Sequence, residues 1–95
     1  MNTTHKTSSI EAILKDYITE TFLYDQAGFI LTNDLPLFEQ RVIDSMGILR
    51  LISFITEKFN VTVQLDEIIL ENFSTIGNIA ALVDTHLQRA QAAQY

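Results

Sequence analysis

Three stretches of this chain repeat apolar residues at the spacing of one helix face, with little around them to break a helix or staple a sheet. Ile10, Ile13, Leu14, Tyr17 and Ile18 form the first stripe, Ile48, Leu51, Ile52, Ile55 and Phe59 the second, and Ile76, Ile79, Ala80, Val83 and Leu87 the third. Offsets of three, four and seven residues bring side chains to one side of a 3.6-residue helix. With three Gly and one Pro the backbone has few breaks, and with no Cys the core must hold by apolar packing alone. The first helix is expected from Ser8 to about Leu23, with Ser8 and Glu11 at capping-box spacing. The second runs from Ser45 to about Phe59. Asn60 to Leu65 alternates like a strand, but a lone strand has nothing to pair with, so it reads as an extended connector. Asp66 to about Glu71 reads as a single helical turn with its acids at the positive end. The last helix opens near Phe73, with Ser74 or Thr75 as cap, and frays over the Gln/Ala-rich Gln88–Gln94.

Between the first two helices lies a long connection, Tyr24 to Asp44, holding Gly28, Asn33-Asp34 and Pro36. Long segments without their own structure are uncommon in small domains and are often functional. Phe29, Ile30, Leu31, Leu35, Leu37 and Phe38 mark it as packed over the helices. The expected organisation is a disordered leader over 1–7, one domain over 8–90 and a frayed tail over 91–95. The fold class is all-α: three longer helices, a short one before the last, and a long loop after the first.

Charge narrows the function classes. Twelve acids against six bases give a net charge of −6, whereas binding to a phosphate backbone needs clustered cations. Nucleic acid is therefore disfavoured as a partner, and partners with basic patches are favoured. The polar start of the chain lacks a signal-peptide core. Met46–Ile55, interrupted by Gly47, Arg50 and Ser53, is far short of the ~20 apolar residues of a membrane span. The chain reads as a cytoplasmic monomer.

No catalytic constellation emerges. His5 sits in the leader, and His86 reads as a solvated residue of the last helix; neither has a metal-binding pattern of neighbours. Asp66-Glu67 reads as a helix cap. The glycines form no phosphate-binding loop. One tetrapeptide stands apart: Asp44-Ser45-Met46-Gly47, where the loop meets the second helix. On physical grounds either the Ser45 hydroxyl or the Asp44 carboxylate caps orphan N–H groups there. The same place would also suit a phosphate on Ser45, because the positive end of the helix favours an anion.

From about Leu37 to Val83 the chain resembles acyl and peptidyl carrier proteins. The resemblance rests on Val42-Ile43-Asp44-Ser45-Met46-Gly47, Glu57-Lys58-Phe59, the Asp66-Glu67 turn and Glu71-Asn72-Phe73-Ser74-Thr75-Ile76. It implies a four-helix bundle with a short third helix and a carrier without its own catalytic site. It implies too that a phosphopantetheinyl transferase, with magnesium, moves 4′-phosphopantetheine from coenzyme A to Ser45. Asp44 would then cap the helix or help position the metal ion or the transferase. The thiol that the chain lacks would come with the arm, holding cargo as a thioester.

The resemblance further implies that acyl- or aminoacyl-activating ligases and synthase or transferase enzymes dock on the second helix and the loop before it. The candidate contacts are Met46, Leu49, Arg50, Ser53, Phe54 and Glu57, with Phe54 equally readable as a rim residue of the core. Fatty-acid-synthesis carriers have a strongly acidic second helix. Here Ser45–Asn60 holds one acid, Glu57, against Arg50 and Lys58, while residues 8–44 hold seven acids and two bases. That departure favours a stand-alone carrier of a dedicated pathway, fatty-acid-like or polyketide among them. Asp-Ser-Met-Gly also resembles D-alanyl carriers, so an aminoacyl or peptidyl-type carrier is the alternative. An unmodified acidic interaction module is the reading from another class.

Overall fold

The computed structural model describes residues 7–26 and 28–92. Helix α1 spans Thr7–Phe22, α2 Ser45–Phe59, α3 Leu70–Phe73 and α4 Ile76–Ala92, with a 3-10 turn at Leu65–Glu67. No strand occurs among the described residues; Asn60 closes α2 in the left-handed conformation, and Val61–Gln64 connects it to the 3-10 turn. The chain is an all-helical bundle in which α1 packs chiefly along α4.

The three stripes meet in one core. Ile10, Leu14 and Ile18 of α1, Leu51 and Ile55 of α2, and Ile76, Ile79, Ala80 and Val83 of α4 are fully buried, while Ile13, Tyr17 and Leu87 pack at its margin. The long connection contributes Leu31, Leu37, Val42 and Ile43 to the same core. It is also stitched to the start of α4, where Leu37 N–H donates to the Ser74 carbonyl (2.8 Å) and Gly77 N–H to the Asn33 carbonyl (2.9 Å). A loop tied down in this way keeps its backbone groups satisfied while it packs inward.

Three expectations are corrected. Helix α1 begins at Thr7, so Ser8 lies inside it and does not open it, and Glu11 accepts a hydrogen bond from Asn33 Nδ2 (3.1 Å), tying α1 to the loop. The expected turn at 66–71 is two pieces. The Glu67 carboxylate takes the Gln64 N–H (2.8 Å) and Asn72 Nδ2 donates to the Glu67 carbonyl (2.8 Å), so the first turn closes before α3 begins. Phe73 belongs to the end of α3, and Thr75 Oγ1 accepts the Asn78 N–H (3.1 Å) to cap α4. Helix α4 is helical as far as Ala92. Residues 1–6 of the expected leader and 93–95 of the expected tail lie outside the described residues.

Ile52 departs from its stripe, being half-buried where full burial was expected. The buried arc of α2 includes Gly47, which rotates that arc away from Ile52. Ile52→Ala should therefore cost less than about 2 kcal/mol, below the range for fully buried aliphatic side chains. A urea-unfolding midpoint at unchanged slope measures it; a larger loss would return Ile52 to the core.

Candidate functional site

The site starts from how α2 begins. Asp44 is in extended conformation, and its Oδ1 accepts the Gly47 N–H at 2.8 Å. Of the two candidate caps, the carboxylate does the capping. That leaves Ser45 as the first helical residue, exposed, with no side-chain hydrogen bond among the described residues. Gly47 is buried against α1: a Cβ on it would stand 3.0 Å from a Phe22 ring carbon and 3.1 Å from Ile43 Cγ2. Its missing side chain lets the first turn of α2 lie close over the end of α1.

Two clefts meet at Ser45. One, of about 400 Å³, lies between Met46, Ile48 and Leu49 of α2 and the segment carrying Ile68, Ile69, Leu70 and Phe73, with Phe38 from the loop. Apart from Ser45 its lining is wholly apolar. Met46 is 68% exposed and Leu49 57%, so its mouth is an apolar lip. The other, of about 500 Å³, is mixed in character, bounded by Phe22, Phe38, Val42 and Ile43 together with Arg41, Asp44 and Ser45.

The far wall of the apolar cleft is held in place by Glu67. Besides the Gln64 N–H, its Oε1 meets His86 Nε2 of α4 at 2.8 Å. His86 is therefore a half-buried tie between α4 and the 65–67 turn, not the solvated residue expected. The Gln64 N–H first, and then His86, hold the Glu67 carboxyl below the usual carboxylate range. The unfolded chain thus binds this proton more readily than the folded one. The contribution of Glu67 to stability is complete above the unfolded value of about 4.3 and is lost as pH falls through the lower folded value. The melting gap between wild type and Glu67→Gln should accordingly shrink below about pH 4. A gap that persists unchanged into stronger acid would remove the carboxylate's role.

The candidate docking contacts divide. Met46 and Leu49 border the apolar cleft beside Ser45. Arg50, Ser53 and Glu57 are exposed further along α2, and the Arg50 carbonyl accepts the Tyr17 hydroxyl at 3.3 Å. Phe54 is half-buried, its ring stacked on Tyr17 with centroids 4.0 Å apart. It clamps α1 to α2, which is the rim placement. Sequence reasoning passed over Phe38, Ile68, Ile69 and Leu70, which complete the cleft. The run Ile68-Ile69-Leu70 was the available signal, since three adjacent apolar residues cannot all turn inward from one short turn.

Chemically, the arrangement presents one unencumbered hydroxyl at the start of a 15-residue helix, where a phosphate ester is favoured. There is room on both sides for a long substituent. Among the described residues no group of His, Asp or Glu could hold a metal ion, and no helix is long and apolar enough to cross a membrane. A family model described as the phosphopantetheine attachment site matches residues 14–83. The chain is also 34% identical over 74 residues to the "Probable acyl carrier protein PigG" of Serratia sp. (strain ATCC 39006), a match covering 78% of this chain and 84% of that one.

Proposed function

Since the chain belongs to the phosphopantetheine-binding family of acyl and peptidyl carrier proteins, we propose that it is an acyl carrier whose arm is esterified to Ser45. The family's cofactor is covalent 4′-phosphopantetheine, and its members work with phosphopantetheinyl transferases and biosynthetic enzymes. When bound, that group supplies a terminal thiol that holds cargo as a thioester. Priming joins Ser45 Oγ to the phosphorus of the arm and breaks the bond to the adenosine bisphosphate half of coenzyme A. The hydroxyl proton leaves to a base on the transferase. Asp44 fixes the helix start that presents the hydroxyl, and its committed oxygen supports a capping role.

The observation that carries the acyl reading is the cleft opening beside Ser45, lined by Met46, Leu49, Ile69 and Leu70. Apolar cargo gains from leaving water there. The ammonium of an aminoacyl group would find no carboxylate in that lining, and burying an unpaired charge is costly. The name of the Serratia relative points the same way. Met46 and Leu49 would form the centre of the enzyme-docking face, with Arg50, Ser53 and Glu57 at its edge and Phe54 supporting it from below. Such a carrier needs no catalytic residue of its own and works where coenzyme A is found, in the cytoplasm.

The test has two stages. Incubation with coenzyme A, magnesium and a promiscuous phosphopantetheinyl transferase should add one arm by intact mass. Loading with an octanoyl or an alanyl thioester should then be compared by amide NMR. Octanoyl should shift Ile68–Leu70 and Phe73 where alanyl does not; equal shifts from both would withdraw the acyl preference.

A further inference from the structure

Arg41 occupies a backbone position that its side chain does not suit. The turn before it closes with the Arg41 N–H on the Phe38 carbonyl (3.1 Å) and the Val42 N–H on the Leu37 carbonyl (2.9 Å). This is the paired bonding that ends a helical turn through a left-handed residue, and that residue is usually glycine. Arg41 sits there with φ of 60°, a conformation disfavoured for a residue with a Cβ. Its side chain is exposed and pairs with no carboxylate among the described residues. Arg41 is also the sole base between residues 16 and 49, a stretch holding Asp16, Glu20, Asp25, Asp34, Glu39 and Asp44.

What the position offers is a place in the mixed cleft of about 500 Å³, on whose border Arg41 stands with Ser45. The acid on that border, Asp44, has its Oδ1 engaged by the Gly47 N–H and makes no ion pair with Arg41 among the described residues. A strained backbone that keeps a cation beside a reactive hydroxyl points to use of that cation. We propose that Arg41 is the phosphate-contacting residue of this cleft, which rests on Ser45 being the attachment point. The phosphate is that of coenzyme A during transfer, or that of the phosphodiester once the arm is in place. A guanidinium suits either, because its planar fork donates two parallel hydrogen bonds to phosphate oxygens.

Arg41→Gly, Arg41→Gln and Arg41→Lys separate this role from a structural one. Arg41→Gly should melt no lower than wild type, since glycine suits the left-handed backbone. Yet both Arg41→Gly and Arg41→Gln should lose about tenfold or more in kcat for arm transfer, the scale of one charged hydrogen bond. Arg41→Lys should keep part of the rate. A changed phosphorus NMR signal in primed Arg41→Gln would place the contact on the phosphodiester; a rate loss with an unchanged signal would place it on coenzyme A. Transfer and signal both at wild-type values in Arg41→Gln overturn the proposal. So does a loss confined to KM for the carrier, which would make Arg41 a docking contact for acids of the transferase. A wild type that takes no arm beside a control carrier that does would overturn the carrier reading, and this proposal with it.

Discussion

Ser45→Ala should take no phosphopantetheine at all under conditions that fully prime the wild type. The loss is absolute because the bond needs an oxygen that alanine lacks, and no other residue shares this hydroxyl's exposed place at the head of α2. The variant should otherwise be intact. Among the described residues the Ser45 hydroxyl makes no side-chain hydrogen bond, and the capping oxygen belongs to Asp44. Its unfolding free energy should therefore stay within about 0.5 kcal/mol of wild type. Intact mass and a urea titration check the two halves. An arm on Ser45→Ala would move the attachment point elsewhere and dissolve the functional reading.

The largest stability effect should come from Phe73→Ala. Phe73 ends α3, is 1% exposed, and both closes the core and forms the floor of the apolar cleft. Truncating a buried Phe to Ala typically costs about 3–5 kcal/mol, against about 5–15 kcal/mol for a whole domain. The variant should unfold at a much lower urea concentration with an unchanged slope. A cost under about 1 kcal/mol would mean that α3 is not part of the cooperative core.

The parts of the fold legible beforehand were those set by strong periodicity. The three stripes returned as three buried helix faces, and Asp44-Ser45 marked the start of α2 because a capping residue and a new apolar period coincide there. Local signals failed where tertiary partners compete for the same atoms. Glu11 stands at capping-box spacing from Ser8, yet its carboxylate is used by Asn33 from the loop. His86 carried no cue to a partner, since Glu67 is 19 residues away in sequence and joins it only once α4 folds back. Ile52 fits the stripe by spacing, but the buried arc also depends on Gly47, whose close packing on Phe22 no apolar pattern reports. At the candidate site, the exposed serine at the head of α2 was legible from its tetrapeptide. The cleft beside it was not, because it is assembled from three separate segments.

The stitch between Leu37 and Ser74 has a consequence for how the pouch beside Ser45 could admit a bulky guest. Phe38 and Phe73, both on its lining, are each one residue from that main-chain bond. Moving the two backbones apart there means breaking that bond. The opposite lip is Ile68–Leu70, where α3 begins, with Ile69 and Leu70 facing water. Substitutions in that three-residue hem should resize the pouch without touching Ser45.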